Sequence, residues 1–485
     1  MTEAGVTGAA VPPPRRLRQA TVVSYGFGAV AYGVKDTGFN AFLLFYYNQV
    51  MGLPQTTVSL VIMAALVIDA FADPLIGFMS DRTRSRWGRR HPWMYGSALP
   101  IMIGYVLVWS PPADATPTQL LVWLFTFAVL TRTAVSTYEV PSVALAPELT
   151  SDYDERTRIL AWRYLWGWLG AIAIGLVAWG VFFRATPAYP NGQSNPAVYG
   201  GLALTAAAMM GVAILVSALA THREIPNLPR AGADTGPTSL ADNFRELRQT
   251  LNNRGFAVLM LAGFCTYANQ GVITALGVYV NAHVWGFTTG DFIIQTLGFV
   301  LCAALAFALA PRLGKRRSKP QVACAAVLGG AFMITLPYWL RAAGLLPPLG
   351  DASLPKILIA IQGVGTSFNI VGFILAASMM ADVVEESEAR TGRRDEGVFF
   401  AGAFFMQKCT SGIGIFLAGI MLAIADFPEK AVPGQVAPAV LDRLAWIHAV
   451  AYLLTACVAA YVFTRFPFGR AEHEARLAKL GAGTA

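Results

Sequence analysis

Charged residues are scarce in this sequence. Asp, Glu, Lys and Arg make up 13% of its 485 residues, whereas hydrophobic residues make up 55%. A soluble domain usually carries about 25% charged residues, so the composition indicates a polytopic membrane protein. The formal net charge is +8, but the basic residues cluster in short loops between apolar runs. That clustering is typical of membrane topology, so no nucleic-acid partner is expected.

The sequence also lacks the signatures of several enzyme classes. Its five cysteines fall within or beside apolar runs without metal-ligand spacing, so neither a metal cluster nor a disulfide framework is expected. No G-x-x-x-x-G-K-[ST] phosphate-binding motif occurs. The five histidines are scattered and form no nucleophile–base arrangement. No cleavable signal peptide is expected, because the first apolar run is too long for one. We therefore expect a protein that is not an enzyme and binds no cofactor.

Twelve apolar runs follow one another along the chain, each about long enough to cross a bilayer as a helix. They lie near 20–48, 57–79, 94–111, 117–147, 158–183, 198–220, 255–283, 290–311, 320–340, 354–382, 396–425 and 441–465. Twelve spans place both termini on the same side of the membrane.

Lys and Arg are concentrated in alternate connections between these runs. The two tails, the central segment and the loops 80–93, 148–158, 312–319 and 384–394 are rich in them. The intervening loops hold few; these are 49–56, 112–116, 184–197, 284–289, 341–353 and 426–440. Because short cytoplasmic loops carry an excess of Lys and Arg, both termini are expected in the cytoplasm, with the protein in a bacterial plasma membrane.

A weak internal repeat divides the chain. A basic loop follows the second and the eighth run, and an acidic-then-arginine loop follows the fourth and the tenth. The fold class predicted is an all-α membrane protein of two six-helix halves, the major facilitator fold, with substrate bound between the halves. The expected divisions are a tail at 1–19, a first half at 20–220, a linker at 221–254, a second half at 255–466 and a tail at 467–485.

The linker itself contains a pattern of apolar residues at helical spacing. Leu240, Phe244, Leu247 and Leu251 lie on one helical face, and Ser239 could cap the helix. We expect an amphipathic helix that lies on the membrane surface.

Two carboxylates stand inside the second apolar run. Asp69 and Asp73 are four residues apart, so they point from the same face of a helix. An ionised Asp at membrane depth costs roughly 2.5–3.5 kcal/mol, so the pair needs a bound cation, a proton or a basic side chain. The alternative is that the aspartates only hold helices together through salt bridges.

Six further charged residues lie near the centres of other runs. They are Lys35, Asp36, Arg132, Glu139, Arg163 and Lys408. With the two aspartates they make four acidic and four basic residues, a balance that predicts a buried polar network around a hydrated cavity. Each of them could instead pair with a neighbouring helix in a purely structural role. Trp166 follows Arg163 by three residues and shares its face, an arrangement that suits a polyol, although Trp is also common at membrane interfaces.

Several motifs stand in a fixed order along nearly the whole chain. They are residues 25–28, 45–53, 69–74, 85–93 and 147–156, the segment from Asp382 to Gly397, and Gln407 with Lys408. This order resembles the glycoside–pentoside–hexuronide:cation symporter family of the major facilitator superfamily.

The resemblance implies a role for each matched position. The coupling-cation ligands would be Asp69 and Asp73, with a hydroxyl from Ser136 or Thr137. The substrate residues would be Asp36, Glu139, Arg163, Trp166 and Lys408. Lys408 would also neutralise the carboxylates when no ion is bound. The gating or cytoplasmic-motif residues would be Asp81, Arg82, Arg89, Arg90, Asp152, Arg156, Asp382, Arg393 and Arg394.

Three positions depart from the family pattern. Ala72 stands where an asparagine would supply a sodium ligand, so protons are slightly favoured over Na⁺ as the coupling ion. No metal is expected apart from Na⁺ at the aspartate pair. Gly33 stands in place of a sugar-binding aspartate, for which Asp36 could substitute. Val143 replaces a sugar-stacking tryptophan.

The function implied is symport of a sugar, glycoside or hexuronide with H⁺ or Na⁺ by alternating access. The expected partners are that small molecule and the lipid bilayer, and the protein is expected to be a monomer. Two alternatives remain at this point. One is a lysophospholipid or other amphiphile transporter of the same fold, and the other is a membrane sensor that transports nothing.

Overall fold

The computed structural model describes residues 17–150, 152–228, 253–316, 318–391 and 396–467. Every regular element in these ranges is helical. The amphipathic helix expected near 239–251 lies outside the described residues, so it remains a prediction.

The first apolar run forms a series of short helices. Helix α1 (Gln19–Phe27) ends at Gly28, and α2 (Val30–Thr37) begins two residues later. A Cβ atom at Gly28 would lie 1.8 Å from the Tyr138 hydroxyl oxygen, so only glycine permits this close approach. The run continues through two π-helical segments, Gly38–Phe42 and Tyr46–Val50, which flank the short α-helical piece Leu43–Phe45.

The remaining α-helices are long. They are α3 (Gln55–Arg82), α4 (His91–Val108), α5 (Pro117–Leu149), α6 (Tyr153–Val177), α7 (Ala197–His222), α8 (Arg254–Tyr279), α9 (Thr289–Arg316), α10 (Lys319–Ala342), α11 (Leu354–Thr391), α12 (Glu396–Ile424) and α13 (Pro438–Phe463). Ten helices in the described part of the chain are long and apolar enough to cross a membrane. The first run is broken into pieces, and α4 has 18 residues, or about 27 Å. The count of twelve spans therefore stays a prediction.

Some connections expected to be loops are instead helical. Helix α9 continues to Arg316, and α11 continues to Thr391, so most of 312–319 and 384–394 extends the preceding helix. The sequence-based boundaries were wrong here because they followed hydropathy alone. Glu, Ala, Lys and Arg have high helix propensity, so a helix can continue past the end of its apolar span.

Helices α3 and α12 bring the two halves of the chain together. A Cβ atom at Gly419 of α12 would lie 2.0 Å from the Ser59 hydroxyl oxygen of α3. More than three turns further along both helices, Phe71 and Phe405 pack edge to face with ring centroids 5.1 Å apart. The helices therefore run antiparallel in close contact from Gly419 to Phe405.

Other contacts between the halves lie at the end that carries the loops poor in Lys and Arg. The Gln49 side chain donates to the Pro428 carbonyl at 3.1 Å and accepts from the Ala431 amide at 2.7 Å. Trp179 and Phe292 stack with their planes 2° apart and their centroids 3.9 Å apart. One buried hydrophobic cluster includes residues of both halves at this end. The halves are thus closed against each other here.

Candidate functional site

An ion bridge between the halves is the centre of the candidate site. Lys408 extends from α12, and its Nζ lies 3.0 Å from Asp69 Oδ2 and 2.6 Å from Asp73 Oδ2. Ser136 of α5 donates to Asp69 Oδ1 at 2.8 Å. Three helices therefore supply two carboxylates, an ammonium group and a hydroxyl. The two negative charges, which would otherwise repel each other, are held together by the lysine between them.

The two carboxylates have different surroundings. Asp69 is 3% exposed, and both of its oxygens have partners. Asp73 is 26% exposed at the side chain, and its buried Oδ1 has no hydrogen-bond partner among the described residues. The Asp73 side chain is therefore more exposed than that of Asp69, and its Oδ1 can accept a further proton or ion.

Only one of the two hydroxyls predicted for this site reaches it. Thr137 donates to the Ala134 carbonyl of its own helix at 2.6 Å, whereas Ser136 contacts Asp69. Consecutive residues of a helix point about 100° apart, so the two hydroxyls cannot face the same carboxylate. The structure selects Ser136.

A second ion pair joins α5 and α6. Arg163 donates from Nη2 to Glu139 Oε1 at 2.7 Å and from Nη1 to the Ser142 hydroxyl at 2.7 Å. The Tyr25 hydroxyl donates to the Ser142 carbonyl, and its ring lies 5.3 Å from the guanidinium carbon. Within the described residues, Glu139 Oε2 has no hydrogen-bond partner. The pair thus presents a fixed guanidinium beside a free carboxylate oxygen, an arrangement that can hold hydroxyl groups.

The first span contributes a smaller polar group. Asp36 is 44% exposed at the side chain; its Oδ1 accepts from Asn40 at 2.8 Å and lies 3.8 Å from Lys35 Nζ. Lys35 also lies over the Tyr32 ring at 4.5 Å. A Cβ atom at Gly33 would lie 2.0 Å from the Gly167 carbonyl oxygen, so this position faces α6. Asp36 is therefore the exposed acidic side chain of the first span, and it lies beside Lys35 and Asn40.

Trp166 lies on the side of α6 that faces the first span. Its ring packs edge to face on Phe27 at 4.9 Å, and its Nε1 is buried with no hydrogen-bond partner in the described ranges. A buried indole N–H normally has a partner, so a ligand hydroxyl could accept from it. Val143, which stands where the family pattern has a sugar-stacking tryptophan, is exposed and carries no aromatic ring.

A buried arginine lies close to the ion bridge. Arg132 precedes Ser136 by one turn of α5 and is 3% exposed. Its guanidinium lies over the Phe39 ring at 4.8 Å, and its Nε and Nη2 have no hydrogen-bond partner in the part of the chain that the structure describes. The sequence identified Arg132 as an intramembrane charge, but family resemblance gave it no role.

The predicted motif residues of the first half form a compact network at the arginine-rich end. Arg90 donates to the Ser80 hydroxyl at 2.6 Å and to Glu148 at 2.9 Å, and it also pairs with Asp81. Arg89 pairs with the same Glu148 oxygen at 2.9 Å. Glu148, which lies within the motif at 147–156 and has no role implied by the resemblance, is thus the shared acceptor. The network ties α3, α4 and α5 together at this end.

Other predicted motif residues lie apart from this network. Asp152 caps α6 by accepting from the Glu155 amide at 2.9 Å; because α6 begins at Tyr153, the loop expected at 148–158 is wrong over most of its length. Arg156 Nε is buried and has no hydrogen-bond partner among the residues that the structure describes. Arg82 lies over the Phe78 ring at 3.9 Å.

In the second half, Asp382 pairs with Lys319, with the Lys319 Nζ 2.6 Å and 2.7 Å from its two oxygens. This pair joins α10 to α11 within that half. Arg393 and Arg394 lie outside the described residues.

Both the sequence and the arrangement of helices are similar to those of known proteins. Residues 24–470 match the family described as MFS/sugar transport protein. The chain belongs to that family. The resemblance found in the sequence motifs is thereby confirmed, and the protein is a multi-pass membrane transporter and not an enzyme.

Individual relatives agree with this assignment. An uncharacterized symporter of Synechocystis sp. is 28% identical over 500 residues, covering 89% of this chain and 90% of the relative. An isoprimeverose transporter of Lactiplantibacillus pentosus is 25% identical over 445 residues, covering 89% of this chain and 86% of the relative. A solved structure of the nucleoside transporter NupG has a TM-score of 0.63 at 11% identity, covering 93% of this chain and all of that one. This last likeness concerns the fold alone.

Proposed function

We propose that the protein is a secondary active transporter that carries a sugar, glycoside or hexuronide together with a cation, H⁺ or Na⁺. The observation that carries this proposal is the bridge from Lys408 in the second half to Asp69 and Asp73 in the first. Because the bridge joins the two halves, a cation that replaces Lys408 at the carboxylates changes how the halves are held together. Ion binding is thereby linked to the movement that alternating access requires.

The cation is assigned first to Asp73. Its Oδ1 is free, and its side chain is more exposed than that of Asp69. A proton on Asp73 needs no further ligand, whereas sodium, a hard ion, should prefer several oxygens by analogy with other hard cations. Thr137 and Ala72 provide none at the pair, so protons are favoured over sodium.

The substrate is assigned to the Glu139–Arg163 pair. Glu139 follows Ser136 by three residues on α5, so the two side chains are neighbours on one face of the helix. The cation and substrate sites therefore share a helix. Charge-assisted hydrogen bonds from Arg163 and Glu139 would fix sugar hydroxyls, and Asp36 and Trp166 would complete the site.

The same reasoning extends to orientation and organisation. We place both termini in the cytoplasm and the arginine-rich loops with them. The closed end then faces away from the cytoplasm. The halves are assigned to 20–220 and 255–466, joined by the linker 221–254, in a monomer within a bacterial inner membrane.

Uptake into proteoliposomes tests the coupling. A labelled sugar that binds the wild-type protein should accumulate when an inward pH gradient, or a sodium gradient, is imposed. Asp73→Asn should lose accumulation and retain exchange of internal for external sugar. Asp442→Asn removes an exposed carboxylate at the closed end and serves as the matched control. Accumulation that ignores both gradients, or that is unchanged in Asp73→Asn, would reject the proposal.

A further inference from the structure

Two neighbouring amides at the end of the first span are buried and hydrogen-bonded. Asn48 is 1% exposed, and its Nδ2 donates to the Leu53 carbonyl at 2.8 Å and to Gln55 Oε1 at 3.3 Å. Its Oδ1 accepts from Gln49 Nε2 at 2.6 Å. All these bonds lie within the first half, so the first half itself fixes the position of the Gln49 side chain.

The Gln49 amide binds the backbone of the connection between α12 and α13. Its Nε2 donates to the Pro428 carbonyl at 3.1 Å, and its Oε1 accepts from the Ala431 amide at 2.7 Å. A side-chain amide offers both a donor and an acceptor, so Gln49 recognises the conformation of this backbone. The two bonds join the halves, because Gln49 belongs to the first half and residues 428–431 belong to the second.

A tyrosine of the second half adds a further hydrogen bond at this point. Tyr279 is fully buried at the end of α8, and its hydroxyl donates to Asn48 Oδ1 at 2.9 Å. Its ring packs edge to face on Phe45 at 5.2 Å and on Phe427 at 5.7 Å. Tyr279 therefore contacts both the amide pair and the residue that precedes Pro428.

The docked connection holds its backbone in a strained conformation. Asp426 and Lys430, with φ of 55° and 54°, are the two non-glycine residues with positive φ in the described part of the chain. They stand on either side of Pro428, whose carbonyl Gln49 binds. A left-handed backbone is unfavourable for residues with a Cβ atom and persists only where surrounding contacts impose it. The contacts with Gln49 and Tyr279 supply such a constraint.

Helix α12 joins this connection to the ion bridge. The connection begins where α12 ends, at Ile424, and Lys408 lies about 24 Å before that end. Between these two points, Gly412 and Gly419 pack closely on α3. One helix of the second half is therefore attached to the first half both at the ion site and at the closed end. A cation that displaces Lys408 removes one of the two attachments.

We propose that Asn48, Gln49 and Tyr279 form a polar latch that holds the closed end, and that Gln49 is the residue on which its release depends. The inference rests on the proposed function for the two conformations that the latch separates. Hydrogen bonds of this kind make a modest net contribution, because water replaces them when the halves part. The strain at Asp426 and Lys430 is released in the same step. Both features lower the cost of opening, as a step repeated in every transport cycle requires.

A buried reporter cysteine measures how often this end opens. Ser59 of α3 is fully buried against Gly419 of α12. Ser59→Cys, made after removal of the native cysteines, should therefore react with a small thiol reagent only when the halves part here. The reaction rate of the purified protein, measured without sugar, is then proportional to the open population.

Two latch variants should accelerate this reaction. Gln49→Met keeps the length of the side chain but removes both bonds to the connection, so the rate should rise about tenfold. Tyr279→Phe removes one hydrogen bond with little change in volume, so the rate should rise about threefold. Gln435→Ala is the matched control, since it removes an exposed glutamine of the same connection, and its rate should stay within about twofold of the wild-type rate.

Glycine at one strained position should act in the opposite direction. Lys430→Gly and Lys430→Ala both remove the lysine side chain, but only glycine adopts a left-handed backbone readily. The glycine variant should therefore react about fivefold more slowly than the alanine variant, because its closed end no longer carries this strain.

The outcomes separate this inference from the proposed function. Wild-type rates in both Gln49→Met and Tyr279→Phe would overturn the latch, as would an equal acceleration in Gln435→Ala. Equal rates in Lys430→Gly and Lys430→Ala would overturn the part assigned to strain. Sugar accumulation that ignores both ion gradients rejects the proposed function by a different measurement. Gradient-driven accumulation together with an unaffected reaction rate in the latch variants rejects the latch alone.

Discussion

Lys408 is the residue whose removal should disturb this protein most clearly. In Lys408→Ala, Asp69 and Asp73 lose the ammonium group that lies 3.0 Å and 2.6 Å from their oxygens. Two like charges then face each other at membrane depth with Ser136 as the remaining described donor. We expect the variant to melt at a lower temperature and to lose concentrative uptake.

The size of the effect follows from the geometry. Breaking a buried ion pair by removing one partner costs roughly 3–5 kcal/mol, because the other charge is left uncompensated. Lys408 faces two carboxylates, which raises the cost. Lys408 and Asp73 are each about a quarter exposed, so water screens part of the repulsion. We therefore expect about 3 kcal/mol, the lower end of this range.

A charge-restoring double variant makes the test specific. Lys408→Ala combined with Asp73→Asn removes one positive and one negative charge, so the local net charge returns to its original value. The double variant should recover about 0.5–3 kcal/mol of the stability lost in Lys408→Ala, as coupling energy between the two positions. Lowering the pH should also reduce the difference in melting temperature between Lys408→Ala and the wild-type protein, because protonation of either carboxylate removes the repulsion between Asp69 and Asp73.

The assay is fluorescence-monitored melting of purified protein in detergent across a range of pH. Lys356→Ala removes an exposed lysine at the start of α11 and serves as the control. The reasoning fails if Lys408→Ala melts like the wild-type protein at neutral pH. It also fails if the double variant melts below both single variants.

Three further predictions concern the substrate site, the closed end and the orientation. Arg163→Ala or Glu139→Ala should abolish sugar uptake without loss of protein from the membrane, since each charge-assisted hydrogen bond contributes roughly 1.5–3 kcal/mol; wild-type uptake rates in both would reject the assignment. Gly419→Ala places a Cβ atom 2.0 Å from the Ser59 hydroxyl, so overpacking of about 1–3 kcal/mol should favour opening of this end, and unchanged spin-label distances across it would contradict the expectation. Ser85→Cys, made after removal of the native cysteines, should resist an impermeant thiol reagent in intact cells, and labelling there would reverse the proposed orientation.

Much of the architecture could be predicted from local sequence patterns. Apolar runs of spanning length predict helices because a backbone in lipid must satisfy its own hydrogen bonds. The spacing of Asp69 and Asp73 places both carboxylates on one face, whatever the rest of the fold does. The helix boundaries were less predictable, because the polar segment that ends at Thr391 continues α11 beyond its apolar part.

What the sequence alone could not decide was which side chains meet. Ser136 and Thr137 are equivalent in chemistry, and only the rotation of α5 against α3 selects Ser136 as the partner of Asp69. Ser142, which anchors Arg163, carries no charge that would mark it within an apolar run. The meeting of Lys408 with the two aspartates requires helices from opposite halves to pack together. Helical periodicity fixes the direction of a side chain within its own helix, whereas its partner depends on the packing of helices that are distant in sequence.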